Sequence, residues 1–185
     1  MIYKETEITD IRIIEPNVFA DERGYFMEAY KELEFENFIG KIHFIQDNES
    51  CSARGVLRGL HYQLEPYAQS KLVRVIQGKV LDVAVDIRKN SPTFGKYVAV
   101  ELSGENKRQL FIPKGFAHGF YVMSETAVFT YKVDNPYAPA YERGIRFDDP
   151  TIGVNWQIMP DNMVNTSEKD RTAPLLHEAE NNFEY

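Results

Sequence analysis

The chain is short of cysteine, of positive charge and of long apolar runs, and each shortage excludes something. One cysteine in 185 residues, Cys51, leaves no partner for an internal disulfide and suits a reducing compartment. Lysine and arginine number 21 against 28 aspartates and glutamates, a net charge of −7 with histidine neutral. Tracking a phosphate backbone needs a basic surface, so no nucleic-acid partner is expected. No apolar run approaches the ~18 residues of a membrane span. The opening "MIYKETEITDIRIIEP" has no basic-then-apolar signal pattern either. A soluble, cytoplasmic protein without a membrane partner is the expectation. Repeats, linkers and low-complexity tracts are missing too. One domain over residues 1–185 is expected, with a polar tail from about residue 173 that is either mobile or docked on another subunit.

What the chain does have is 43% hydrophobic and 13% aromatic residues, enough for a real core, distributed in short alternating segments. "KVLDVAVDIR" is the clearest. Leu81, Val83, Val85 and Ile87 share one face, and Asp82, Ala84 and Asp86 the other. "TDIRIIE", "GYFMEAY", "GKYVAVEL", "RQLFIP" and "TAVFTYKV" repeat the theme. Turn signals separate them: "QGK", "KNSPTFG", "SGENK", "PKGFAHG" and "DNPYAPAYERG". Many short strands with regular turns predict an all-β sandwich, jelly roll or barrel. Two helical stretches stand out, "KELEFENF" at 31–38 and "SEKDR" at 167–171, the latter with Ser167 as N-cap and Asp170 at the third helical position.

Two of the four histidines follow glycine-bearing turns, as Gly55-x5-His61-x-Gln63 and as Pro113-x-Gly115-x2-His118. This spacing resembles the two motifs of the cupin superfamily, jelly-roll barrels whose metal ligands come from those motifs. Here Gln63 stands where a metal-binding cupin has its second histidine, and the expected glutamate falls on Tyr67 or Ala68. Two neutral imidazoles make a poor divalent-metal site, so no metal is expected. His118 reads equally as a structural histidine closing a turn or as a ligand contact. Without a metal, His61, Lys71, Asp82 and Tyr131 remain as chemistry-bearing groups. A base, a cation and an acid suit proton abstraction beside a ketone, which serves as its own electron sink and needs no cofactor. Taken singly, each could be an ordinary surface or core residue. Asp82 could orient Lys71 or His61, or simply cap a strand pair.

Eight segments taken in order carry more. "DERGYFMEAY", "FIQDNES", "GVLRGLHYQ", "KLVRVIQGKVLDVAVDIR", "SPTFGKY", "FIPKGFAHGF", "TYKVDNPYAPAYERGIRFDDP" and "SEKDR" together resemble the dTDP-4-dehydrorhamnose 3,5-epimerases, cupin-type enzymes of dTDP-L-rhamnose biosynthesis. The likeness runs from about residue 8 to residue 172. It implies a jelly-roll barrel with a few short helices, and dTDP-4-dehydro-6-deoxyglucose as substrate. It implies His61 as base, Asp170 as its dyad partner, Tyr131 as the opposing acid and Lys71 beside the 4-keto oxygen. For the nucleotide it implies Arg23 and Arg58 on phosphate, Phe26 and Tyr137 stacking on thymine, and Glu28 on base or sugar. Gln46, Asp47 and Asn48 would form a polar floor, with His118, Glu142 and Lys169 as further substrate contacts. A homodimer built on N-terminal strand exchange is implied as well, with "ITDIRIIE" a plausible strand for it. Departures are small: "NWQIMP" carries Gln157 where relatives often have proline. A close variant would epimerise one carbon only; a metal-dependent cupin oxygenase and a non-catalytic sugar-binding cupin are the readings from other classes.

Overall fold

The computed structural model describes residues 1–158 and 164–185, which leaves the last two residues of "NWQIMP" outside. Six strands form one sheet, in the order β1 (Ile2–Glu5), β2 (Arg12–Glu15), β10 (Gln109–Ile112), β7 (Lys71–Gln77), β12 (Thr126–Val133) and β5 (Gln46–Ala53). Five form the opposing sheet, in the order β13 (Glu142–Gly144), β6 (Leu57–Gln63), β11 (Phe116–Val122), β8 (Lys79–Asp86) and β9 (Tyr97–Ser103). A separate hairpin pairs β3 (Val18–Asp21) with β4 (Gly24–Met27). With two short helices, α1 (Glu32–Phe38) and α2 (Glu168–Arg171), this is the expected all-β jelly roll.

The alternation explains the layers. Val73, Val75, Leu110, Ile112 and Phe129 of the first sheet meet Val80, Ala84, Val100, Leu102 and Phe120 of the second in the barrel interior. Leu81, Val83 and Val85 of β8, with Ile87 just past its end, face the other way, onto Ile145, Trp156, Leu176 and Phe183 from the C-terminal third. β8 is therefore buried on both faces, and Asp82 sits with the inward set. On the far side of the six-stranded sheet, α1 lays Phe35 over Ile14, Leu72 and Phe111. The Phe35 and Phe111 rings meet edge-on, 5.4 Å between centroids. Burying a phenylalanine of this kind is worth roughly 2–3 kcal/mol, which fixes the short helix better than its propensity could.

One expectation needs correction. "PKGFAHG" is only partly a turn: from Phe116 onward it is strand β11, because both faces of that segment find apolar cover. β2, which is the second half of "ITDIRIIE", pairs with β1 on one side and β10 on the other within this same chain. The tail is docked on its own barrel. Lys89 N–H donates to Phe183 O at 3.0 Å, Tyr185 N–H to Lys89 O at 3.1 Å, and the Phe183 ring is buried. Among the described residues no helix is long and apolar enough to cross a membrane.

Candidate active site

Successive side chains of a strand alternate between faces, so Arg58 and His61, three apart on β6, should point in opposite directions. They do not, because the pairing of β6 with β11 slips. His118 lies opposite His61 and Phe120 opposite Arg58, three steps on β6 against two on β11. The extra residue is a bulge, and it turns Arg58 and His61 into one cavity of about 210 Å³, shared with Lys71, His118, Phe129 and Tyr131. Gly59 makes the bulge possible. Its φ is +118°, and a Cβ there would lie 2.6 Å from Gly119 Cα and 2.7 Å from His118 O. The two strands cross at bare backbone, and no side chain fits between them.

α2 supplies the partner of His61. Ser167 Oγ accepts the Asp170 N–H at 3.1 Å, the N-cap read from "SEKDR", and this holds the Asp170 carboxylate against the underside of β6. Asp170 Oδ1 lies 2.7 Å from His61 Nε2, while Oδ2 accepts the Gly59 N–H at 3.2 Å. Burial pushes the Asp170 carboxyl up, but the hydrogen bonds from His61, Gly59 and Ser167 outweigh it and hold the group below the usual carboxylate range. An ionised Asp170 keeps the proton on Nε2 and leaves the Nδ1 lone pair as the basic end of the ring.

Lys71 opens β7 beneath the cavity. Desolvation lowers its ammonium to about 8, partly offset by the charges of Asp82 and Glu142. Burial raises the Tyr131 phenol, Arg58 opposing and Glu142 adding, so the hydroxyl keeps its proton at neutral pH. Arg58 binds the Ser52 hydroxyl through Nε at 3.2 Å and Nη2 at 3.1 Å, and among the described residues it has no carboxylate partner. A guanidinium so placed at a cavity mouth is free to meet an anion.

Among the described residues Asp82 hydrogen-bonds neither Lys71 nor His61, although its charge acts on Lys71. Its fully buried carboxylate is bonded to His118 Nε2, at 2.9 Å from Oδ2 and 3.0 Å from Oδ1. His118 sits in mid-strand, not in a turn, and burial lowers its pKa despite the pull of Asp82. It faces the cavity as a neutral ring. Nearby, Glu142 gathers Lys169 Nζ at 2.6 Å and the Tyr137 hydroxyl at 2.7 Å.

The polar floor divides in two. Gln46 and Asn48 share the inward face of β5, 2.8 Å apart, with Asn48 opposite Tyr131 in register. Asp47 points outward and pairs with Lys132 at 2.8 Å. The hairpin residues are not brought to the cavity. Arg23 pairs with Asp21, Glu28 lies 3.3 Å from Lys31, and the Phe26 ring is 66% exposed. The sequence reading missed Ser52 and the backbone N–H of Gly59. Period-two polarity in "QDNESCSA" signals the first; nothing in the sequence signals the second.

An imidazole–carboxylate pair facing a phenol and a desolvated ammonium inside a jelly-roll barrel defines a cupin-type acid–base isomerase. Comparison with known proteins narrows the class. The family model for dTDP-4-dehydrorhamnose 3,5-epimerase matches residues 5–178. The enzyme of that name from Shigella flexneri is 61% identical over 83% of this chain and 86% of its own length. The Salmonella typhimurium enzyme is 54% identical over 97% of each. The crystal structure of the 3,5-epimerase from Legionella pneumophila in complex with dTDP-4-keto-L-rhamnose superposes with a TM-score of 0.92 at 49% identity, covering 96% of this chain and 93% of that one. This chain belongs to the dTDP-4-dehydrorhamnose 3,5-epimerase family.

Proposed function

We propose that the chain converts dTDP-4-dehydro-6-deoxy-D-glucose to dTDP-4-dehydro-L-rhamnose by inverting carbons 3 and 5, working as one domain. The observation that carries this is the convergence of His61, Lys71 and Tyr131 on one cavity, with Asp170 behind His61. His61 Nδ1 takes the hydrogen next to the 4-keto group, and the C–H electron pair moves into an enolate. Lys71 holds the enolate oxygen. Tyr131 returns a proton to the opposite face of the carbon, which inverts it, and solvent restores both groups. Each proton transfer is worth roughly 10²–10⁴-fold. Arg58 binds the diphosphate, Tyr137 stacks on the thymine, and His118, Glu142, Lys169, Gln46 and Asn48 line the path between. Product identification by NMR in heavy water tests this. Deuterium at both carbons of an L-rhamno product is expected; inversion at one carbon alone would make the chain a monoepimerase.

The proposal extends to a homodimer in which the β3–β4 hairpin is the exchanged piece. Its Phe19 and Phe26 rings are 62% and 66% exposed, and Arg23, Phe26 and Glu28 do not line the cavity that holds His61 of their own chain. From the partner they would reach its nucleotide end. Mixing inactive His61→Ala and Arg23→Ala proteins should then restore part of the activity. No recovery from stably associated mixed dimers would overturn the hairpin assignment.

A further inference from the structure

Gln63 lies two residues beyond His61 on β6, at the position where the cupin resemblance would place a metal ligand. It is 5% exposed, and its polar atoms are occupied by backbone. Nε2 donates to Tyr67 O at 2.6 Å and to Pro136 O at 3.1 Å, and Oε1 accepts the Ala138 N–H at 2.8 Å. Only this orientation of the amide satisfies all three; the reverse would set an oxygen against two carbonyls. The partners belong to two loops, 64–70 and 134–141, which are laced together elsewhere as well. Asn135 Nδ2 donates to Pro66 O at 3.1 Å and Ala68 O at 3.0 Å, and Gln69 Nε2 donates to Asn135 O at 2.7 Å. The Ser70 N–H reaches Asp134 Oδ1 at 2.7 Å.

What singles out Gln63 is where it grips. Pro136 C=O and Ala138 N–H are the backbone groups immediately before and after Tyr137. One buried amide thus clamps both sides of a residue whose own side chain stays in the open, 55% exposed, with its hydroxyl on Glu142. The other end of that amide is fixed to the strand that carries His61. We infer that Gln63 is a positioning residue that sets the distance between the Tyr137 ring and His61, and so selects a ligand of nucleoside-diphosphate-sugar length. The inference rests on the reading of Tyr137 as the nucleobase platform. A loop free to drift would still admit substrate, but with the nucleobase contact no longer preformed.

Gln63→Met keeps length and volume and removes all three hydrogen bonds. Binding of dTDP, measured by calorimetry, should weaken roughly tenfold, the size expected when buried hydrogen bonds holding a binding element are lost. KM should rise in parallel, while kcat and deuterium wash-in at saturating substrate stay within about threefold. In a Tyr137→Ala background, Gln63→Met should weaken dTDP binding no further. Additive losses, or a fall in kcat with dTDP affinity intact, would overturn the inference, since Gln63 would then act elsewhere or on His61. Normal affinity in Gln63→Met beside weak binding in Tyr137→Ala would also overturn it and leave the Tyr137 reading standing. Normal binding by Tyr137→Ala would sink that reading itself. If Gln63→Met fails to fold, Asn135→Ala loosens the same loops from the more exposed side. It must weaken dTDP binding with kcat preserved, and unchanged affinity there counts against the inference.

Discussion

Replacing Asp170 with asparagine isolates what the carboxylate does, because size, shape and the backbone cap on Ser167 are all retained. The carboxylate accepts from His61 Nε2 at 2.7 Å with one oxygen and from the Gly59 N–H at 3.2 Å with the other, in a spot 4% exposed. An amide can serve only one of these. With its oxygen on Gly59, its NH₂ faces His61, so Nε2 must become the acceptor and the proton moves to Nδ1, the end that has to be basic. With its oxygen on His61, two donors confront each other across a buried gap. A charge-assisted hydrogen bond contributes about 1.5–3 kcal/mol, or roughly 10- to 100-fold in rate. Loss of the right tautomer comes on top, so kcat should fall by roughly 10³–10⁴. Deuterium wash-in at carbons 3 and 5, followed by NMR at saturating substrate, reads this directly, with dTDP affinity as the control. Wash-in within threefold of the parent, in folded protein, would refute the dyad. A second readout follows from the depressed carboxyl. A group held below its unfolded value stabilises the fold above that value, about 3.9 for aspartate, and the contribution is lost as pH falls through the folded value. Asp170→Asn should therefore flatten the acid limb of the melting curve.

Lys71 makes opposite demands on stability and rate. Its ammonium is lowered from 10.5 to about 8, so the folded state releases a proton that the unfolded chain still holds between those values. Below about 8 the buried charge opposes folding, so Lys71→Met should raise Tm at pH 7 while nearly abolishing turnover and sparing dTDP binding; a lower Tm would contradict the burial argument. In the parent, kcat should fall as pH rises through about 8, and a flat profile to pH 9.5 (roughly a unit and a half beyond) would show that the charge is not needed. Tyr131→Phe keeps the base, so it should retain deuterium incorporation while inversion drops roughly 10²–10⁴-fold, and equal loss of both would remove the phenol from the acid role. Gly59→Ala forces a Cβ to within 2.6 Å of Gly119 Cα at a φ of +118°, and thermal unfolding should show a loss of about 2 kcal/mol or more. A neutral result would mean the strands can part without cost.

Alternation is local, so the sequence by itself determined the strands. Leu81, Val83, Val85 and Ile87 had to share a face, and the all-β layering followed from such segments. Local too was the Ser167 cap that points Asp170 out of α2, legible because a capping serine and the third helical residue are fixed by four positions of sequence. The eight ordered segments placed the family. Other features depend on groups distant in the chain. A bulge exists only between two strands, so no reading of "RGLHYQ" alone could put Arg58 and His61 on one side; the slip against β11 does that. Asp82 found His118 instead of Lys71 because β8 and β11 are neighbours in the sheet, with Asp82 two residues along from the position opposite His118. Asp47 left the floor because its partner in register is Lys132, on the outer face. Gln63, read only as a missing ligand, acquired its contacts when the 64–70 and 134–141 loops met above β6. In each case the side chain was legible and its neighbour was not, since pairing register and loop docking are settled by the whole barrel closing at once.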